Sequence, residues 1–228
     1  YALNYNLITF PENVDVLLIA PRFPGKPIRE YYLNGGGVPV FFDVYQDYSK
    51  IAKEIGLALC KAIGATKAGV FEVSTKEETE IDLFIEQFLI PTFIKSIEIG
   101  FETLVKRGFD PHASLSELFV SGELGEVIKQ ASVEGLYSVF QNHASPTCQY
   151  GISRNVKNAL SDYSYKFAEK VLDNIQSGEF SKALSEEGES EYANLKSYYK
   201  EKLNENLNLK FNDINSLIKY REVQNDEQ

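Results

Sequence analysis

The chain has 228 residues, of which 43% are hydrophobic and 25% charged, a composition typical of a globular protein with one large core or two smaller domains. Its net charge of −10 repels nucleic acids and anionic lipid surfaces, so we expect neither a nucleic-acid partner nor a membrane partner. The two cysteines, Cys60 and Cys148, lie far apart and in no CxxC motif, which predicts reduced thiols in a cytoplasmic protein.

The first 75 residues alternate between strand and helix patterns. Continuous aliphatic runs predict strands at 14–21, 37–46 and 68–73, and a helical period predicts a helix over 47–63. The apolar face of that helix is predicted to contain Ile51, Ile55, Leu59 and Ala62. Strands that alternate with helices imply βαβ crossovers, so we expect parallel strands.

From Thr75 onward the pattern is helical. Thr75 is a candidate helix cap, with Glu77 and Glu78 in the first turn, and Gly108 and Pro111 interrupt the apolar periodicity. Further helices are predicted near 114–135, 155–177 and 191–207, with a frayed tail from Tyr220. The change of pattern predicts two domains, 1–75 and 76–228.

The chain starts at Tyr1 and contains no methionine, and its first ten residues lie directly in an apolar segment. A native terminus usually begins with a few dispensable residues. We therefore expect the chain to be the remainder of a longer polypeptide.

The acidic run KEETEIDLFIEQ (76–87) contains the clearest candidate metal ligands. Asp82 and Glu86 are four residues apart, so a helix would place both carboxylates on one face, where they could share a cation. The apolar neighbours, Leu83 to Ile85, suggest that this face lies near the core. A solvated helix face with Glu–Lys pairs remains the alternative, and the spacing alone favours that alternative.

Other polar segments are less specific. The segment GLYSVFQNHASPTCQYG (135–151) interrupts the helices and is either a binding loop or a connection. The only histidines, His112 and His143, are interpreted as structural or solvated. The sequence contains no GxSxG, HExxH or P-loop motif, and Gly35–Gly37 without a GxGxxG spacing is weak support for a nucleotide site.

Residues 20–87 carry a resemblance to a known family. The segments APRFPGKP, GGGVP, AIGATKAGV and KEETEIDLFIEQ, with the later GFETLV and IQSGEF, closely resemble ketol-acid reductoisomerase (acetohydroxyacid isomeroreductase). The resemblance extends to about Gly188 and fits the short class of the family with a single knotted domain.

This resemblance implies a fold and an activity. It implies the end of an NADP(H)-binding Rossmann domain, with parallel strands, followed by a helical knotted domain that pairs into a homodimer or higher oligomer. It also implies Mg²⁺-dependent alkyl migration in an acetohydroxy acid and reduction of the product by NADPH, a step of branched-chain amino acid synthesis.

Four residues match functional residues of the family, and a fifth, Arg22, aligns with a functional position but differs in residue type. The resemblance implies that Asp82 bridges two metal ions, that Glu86 binds the first ion, and that Glu123 approaches from the partner subunit. It implies substrate binding by Ser145 and catalytic positions at Arg22 and Glu123. Arg22 stands where the family has lysine.

Other positions depart from the family pattern. Phe119 stands four residues before Glu123 in place of a second glutamate, Leu3 replaces an active-site histidine, and Tyr45 replaces the histidine of HQD. The GxGxxG turn would lie upstream, so no cofactor-binding residue is assigned and NADPH is expected only with that segment present. We therefore expect weak or absent activity; the alternative is a degenerate relative whose helical domain serves as a dimerisation or assembly module.

Overall fold

The computed structural model describes residues 1–159 and 162–215. Within these residues the chain forms two compact units. The first unit contains Tyr1–Glu86 and Leu172–Ser181, and the second contains Gln87–Val171 and the described residues from Lys182 onward.

A three-stranded sheet with the order β1-β2-β3 lies at the centre of the first unit. The strands are β1 (Val16–Pro21), β2 (Val40–Gln46) and β3 (Val70–Glu72). The helices that accompany them are α1 (Gly25–Leu33), α2 (Ala52–Ala62) and α3 (Thr75–Phe84), with a 3-10 turn at Ala65–Lys67. The three predicted strands and the predicted helix at 47–63 are confirmed with shorter bounds.

The sheet is mixed, so the expectation of parallel strands was wrong for β1 and β2. These strands are antiparallel, with Pro21 opposite Val40, whereas β2 and β3 are parallel. The Arg22 N–H donates to the Pro39 carbonyl at 2.9 Å, so the end of β1 lies beside the start of β2. A parallel pair needs a connection that crosses the sheet. Helix α1 contains no buried residue, and it connects two neighbouring antiparallel strands without crossing the sheet.

The face of α2 that packs on the sheet differs from the predicted one. Ile51, Ile55 and Leu59 are 54%, 40% and 47% exposed. The buried face consists of small residues, Ala52, Gly56 and Cys60. A Cβ atom on Gly56 would lie 2.4 Å from the Phe42 ring, so the helix approaches β2 too closely for a larger side chain. Size, and not hydrophobicity, decides which face is buried.

The N-cap of helix α3 lies one residue earlier in the sequence than predicted. Ser74, not Thr75, is the N-cap: its hydroxyl accepts from the Glu77 N–H, and the Glu77 side chain accepts from the Ser74 N–H, which forms a capping box. The Thr75 N–H and hydroxyl both donate to Asp43 Oδ2, at 2.7 and 2.8 Å. These bonds attach the first turn of α3 to β2.

The second unit is helical. Its helices are α4 (Ile90–Lys106), α5 (Pro111–Leu115), α6 (Glu123–Glu134), α7 (Ser138–His143), α8 (Pro146–Asn155), α9 (Asp162–Gln176), α10 (Glu179–Glu189), α11 (Ala193–Leu203) and α12 (Asn206–Asn215). The end of α9 and the start of α10 belong to the first unit. Two π-helical segments, Ile85–Leu89 and Ser116–Val120, precede α4 and α6. The core of this unit contains Phe101, Leu115, Val120 and Ile214.

The predicted helices of this region are confirmed in part. Helix α4 ends before Gly108, as predicted, whereas α5 starts at Pro111, three residues before the predicted helix start near 114. The predicted helix at 114–135 is divided into α5, a π-helical segment and α6, because Gly122 has a φ of +85° and ends the segment before α6. The predicted helix at 155–177 is likewise interrupted at Val156–Asn158, a short 3-10 turn. The predicted frayed tail from Tyr220 lies outside the described residues.

No helix among the described residues has both the length and the apolar character needed to cross a lipid bilayer. Both cysteines are free; Cys60 is buried and Cys148 is exposed.

The close contact of α2 with β2 gives a stability prediction. Gly56→Ala should lower the free energy of unfolding by about 1–3 kcal/mol, because the added methyl overlaps the Phe42 ring. Chemical denaturation measures this change. The control is Gly125→Ala in α6, where a Cβ meets nothing within 4 Å, and it should be neutral or stabilising by about 1 kcal/mol or less. An unchanged or higher stability of Gly56→Ala would contradict the packing argument.

Candidate functional site

The two candidate metal ligands of the first unit lie at the end of α3. Asp82 is in the last turn of the helix, and Glu86 follows in the π-helical segment Ile85–Leu89. Both residues are exposed, so the expectation that their face lies near the core was wrong. Leu83 is buried on another side of the helix, whereas Ile81 and Ile85 are exposed like the carboxylates. Two carboxylates are thus presented together at the surface of this unit.

Arg22, the residue after β1, joins the sheet to these carboxylates. Its guanidinium donates to Glu78 Oε1 at 2.7 Å and to Asp82 Oδ1 at 3.1 Å. The same group lies 4.7 Å from the centre of the Phe41 ring, a cation–π contact. Glu78 is buried, so its charge needs a partner, and Arg22 supplies one. Arg22 therefore fixes a buried carboxylate and one oxygen of an exposed carboxylate at the same time.

Asp82 and Glu86 place two carboxylates close enough for one to affect the other. Partial burial raises the pKa of Glu86, and the nearby Asp82 carboxylate raises this pKa further. Oxygen atoms of this type are the ligands that Mg²⁺ and Ca²⁺ prefer. Within 1–159 and 162–215, however, no group of three or more His, Cys, Asp or Glu side chains is arranged to hold a metal ion. Asp82 and Glu86 alone are an incomplete ligand set.

Glu123, the third predicted metal ligand, belongs to the second unit. It is the first residue of α6 and is exposed, and its N–H donates to Ser121 Oγ at 3.4 Å. A carboxylate at the amino end of a helix is stabilised by the helix dipole. Its position leaves the side chain accessible to a ligand.

Phe119 does not lie on the surface that Glu123 occupies. Its ring stacks on Phe211 with the ring centres 5.8 Å apart, and it packs against the core of the second unit. The π-helical segment Ser116–Val120 and the turn at Gly122 separate Phe119 from α6, so residues four apart here do not share a face. The exposed carboxylate of this segment is Glu117. The position four residues before Glu123, where the family pattern has its second glutamate, is Phe119, so this spacing does not lead to Glu117.

Ser145, the predicted substrate-binding residue, is the exposed N-cap of α8. Its hydroxyl accepts from the Cys148 N–H at 3.3 Å. The segment 135–151, predicted as a loop or a connection, forms α7 and the start of α8, with Ser145 at the corner between them. Gln149 stabilises this corner by donating to the carbonyls of Ala144 (2.8 Å) and Gln141 (3.3 Å).

A carboxylate that the sequence analysis did not single out lies beside this corner. Glu134, the last residue of α6, accepts from His143 Nε2 at 2.9 Å, from Asn142 Nδ2 at 3.1 Å and from Gln130 Nε2. These hydrogen bonds lower the pKa of Glu134 to about 2, with the largest effect from Gln130 and the next from His143. His143 is thus paired and half-exposed, as expected of a structural or solvated histidine.

Comparison with known proteins assigns the family. Residues 1–69 match the model of the acetohydroxy acid isomeroreductase NADPH-binding domain, and residues 75–217 match that of the ketol-acid reductoisomerase C-terminal domain. The chain belongs to the ketol-acid reductoisomerase family. The resemblance read from its motifs is therefore confirmed, whereas the predicted domain bounds, 1–75 and 76–228, stay a prediction.

Individual members of the ketol-acid reductoisomerase family are similar over most of the chain. Ketol-acid reductoisomerase (NADP(+)) of Clostridioides difficile is 38% identical over 190 residues, which are 83% of this chain and 57% of that protein. The enzyme of the same name from Sulfolobus acidocaldarius is 39% identical over 188 residues, 82% of this chain and 56% of that protein. The chain thus spans little more than half the length of these relatives.

A solved structure is also similar. It is an NADH-preferring ketol-acid reductoisomerase from an uncultured archaeon, with a TM-score of 0.88 and 28% identity, over 95% of this chain and 65% of that one. Together with the family models, this similarity supports an NADPH-binding-domain segment followed by a helical C-terminal domain.

The hydrogen bonds of Glu134 give a prediction for acidic pH. Because the folded-state pKa of about 2 lies below the ordinary value of 4.5, the ionised carboxylate stabilises the fold above pH 4.5, and this contribution is lost as pH falls towards 2. Glu134→Gln should therefore unfold at a lower temperature than the wild type at pH 6, and the difference should shrink between pH 4.5 and 2. Thermal unfolding followed by circular dichroism measures both. A difference that stays constant down to pH 2 would contradict this assignment.

Proposed function

We propose that this chain is part of a Mg²⁺-dependent ketol-acid reductoisomerase that rearranges a 2-acetohydroxy acid by alkyl migration and reduces the product with NADPH. The observation that carries the proposal is the match to both domains of the family, combined with the paired carboxylates at the end of α3. Because the chain spans 54–57% of its curated relatives, the activity of the whole protein is itself a proposal.

Asp82 and Glu86 fit a divalent cation in the chemistry of their donors. Both offer carboxylate oxygens, and only Oδ1 of Asp82 is bonded to Arg22. Desolvation and, after it, the neighbouring Asp82 carboxylate raise the pKa of Glu86, and a cation beside the two carboxylates would offset both effects. When bound, Mg²⁺ would supply Lewis-acid polarisation of the substrate oxygens.

The remaining metal ligands would come from the second unit of another copy. We propose Glu123 as one of these ligands. The second carboxylate would be that of the exposed Glu117, since the residue four positions before Glu123 is Phe119. A homodimer is supported by the apolar side chains that α4 exposes near its start, Ile90, Phe93 and Ile94. The knot, the dimer and a cytoplasmic location are predictions of this proposal.

Arg22 and Ser145 would act on the substrate side of the reaction. Arg22 holds Glu78 and Asp82 in place, but its guanidinium does not lose its proton and so cannot serve as a proton donor. Ser145 is exposed and would donate a hydrogen bond to an oxygen of the acetohydroxy acid. Leu3 can neither relay a proton nor form a hydrogen bond through its side chain. We therefore expect turnover below that of family members with lysine and histidine at these positions.

NADPH is the proposed reductant because residues 1–69 match an NADPH-binding domain and the curated relatives are NADP(+) enzymes. One structural relative prefers NADH instead. No residue of this chain is assigned to the nucleotide.

A second function, dimerisation or assembly without catalysis, is favoured by one observation. Arg22 already neutralises Glu78 and part of Asp82, so the cluster has a structural role that needs no metal. The two functions differ in whether Mg²⁺ binds and whether substrate turns over.

Metal binding can be measured without turnover. Mg²⁺ should raise the unfolding temperature of the wild type, since a ligand at one hundred times its Kd stabilises the fold by about 2.7 kcal/mol. Asp82→Asn should lose most of this rise. The matched control, Glu72→Gln, removes an exposed carboxylate whose ion pair is with Lys53, and it should keep the rise. An equal Mg²⁺ effect in Asp82→Asn and wild type would contradict a site at Asp82.

Turnover tests the reaction itself. In a protein that also carries the upstream nucleotide-binding segment, the chain should convert 2-acetolactate slowly in an assay with Mg²⁺ and NADPH, and Arg22→Lys should raise the rate by about tenfold or more, because an ammonium group can donate a proton. Arg29→Lys, an exposed change on α1, should leave the rate as it is. A fast wild-type rate would disprove the expected weakness, and no turnover in either protein would favour the assembly function.

A further inference from the structure

The chain around Ser145 is held by side chains on both sides of the corner. Upstream, Asn142 and His143 at the end of α7 donate to Glu134. Downstream, Gln149 in α8 donates to the backbone carbonyls of Gln141 and Ala144. Ser145 therefore lies in a backbone that is fixed from two directions, and Glu134 is the acceptor on the upstream side.

Helix α7 depends on these bonds because it has little packing of its own. It has six residues, and Val139 is its buried residue. A helix this short is not stable by its own hydrogen bonds and needs contacts with its surroundings. Of the side chains that donate to Glu134, those of Asn142 and His143 belong to the last two residues of α7, directly before Ala144 and Ser145. Loss of the Glu134 bonds would therefore release the end of α7 where it leads into the α8 cap.

Glu134 differs from an ordinary surface carboxylate on the same helix. Its side chain is 25% exposed, and both of its oxygens accept hydrogen bonds from neighbouring side chains. Glu126, two turns earlier on α6, is 77% exposed and has a 3.5 Å ion pair with Lys129. Hydrogen bonds to a charged acceptor are stronger than those between neutral groups. The lowered pKa of Glu134 agrees with this number of donors.

We propose that Glu134 is a positioning residue for Ser145: by holding Asn142 and His143 it keeps the α8 cap formed and the Ser145 hydroxyl directed to the substrate. The substrate part of this inference rests on the proposed function, which assigns Ser145 to the acetohydroxy acid. The positional part rests on the hydrogen bonds of the corner alone.

Hydrogen exchange tests the positional part without substrate. The Cys148 N–H donates to Ser145 Oγ and the Gln149 N–H donates to the Ser145 carbonyl, so both amides report whether the cap is formed. In the intact chain, Glu134→Gln should speed exchange at these amides by about fivefold or more, because its amide group cannot accept all of the bonds. Glu126→Gln is the matched control and should leave exchange unchanged.

Substrate affinity tests the functional part. With Mg²⁺ present, Glu134→Gln should raise the Kd for 2-acetolactate severalfold in calorimetric titration, while Glu126→Gln keeps the wild-type Kd. The double variant Glu134→Gln/His143→Gln should be little worse than Glu134→Gln alone, because both changes break the same link. Circular dichroism of each variant checks that the helices are retained.

Each outcome decides a part of the proposal. Unchanged exchange at Cys148 and Gln149 in Glu134→Gln would overturn it. Faster exchange with an unchanged Kd would reduce Glu134 to a structural brace and overturn its link to substrate. If the wild type binds no 2-acetolactate, the proposed function fails together with the substrate part, whereas the exchange comparison still decides whether Glu134 holds the corner.

Discussion

The ion pairs of Arg22 set the arrangement of the candidate site in the first unit. A buried carboxylate such as Glu78 is tolerated only with a charged or hydrogen-bonding partner, and that partner comes from the end of β1. The same guanidinium reaches Asp82, one turn further along α3. Because Asp43 on β2 holds the first turn of this helix, two strands fix α3 at two separate points. The sheet thus fixes the position of the carboxylates at the end of α3.

Much of the fold of the first unit could be predicted from the sequence. Aliphatic runs located all three strands, and the helical period located α2. The direction of β1 could not be read, because it depends on whether α1 packs across the sheet, and a sequence of mixed polarity such as GKPIREYYL does not show this. The buried face of α2 was also misassigned. Periodicity identifies the most hydrophobic stripe, whereas the close approach at Gly56 selected the stripe of smallest side chains.

The residues of the candidate site, too, could be predicted only in part from the sequence. The resemblance pointed to Asp82 and Glu86 through the run KEETEIDLFIEQ and to Arg22 through its alignment with a family lysine, and the functional roles of all three residues stay predictions. Local spacing was a poorer guide in the helical part, where Phe119 packs inward and Glu117 is exposed. Glu134 had no signal in the sequence, because its partners Asn142 and His143 reach it only after the chain reverses between α6 and α7. Side chains that meet through such a reversal have no characteristic spacing.

The two π-helical segments have a further consequence for changes in the length of this chain. A π-helical turn accommodates one residue more than an α-helical turn, so an insertion is absorbed locally and the helices on either side keep their packing. One such segment contains Glu86 and the other contains Glu117. The exposed carboxylates Glu86 and Glu117 therefore lie where the chain can gain or lose a residue without disturbing the core.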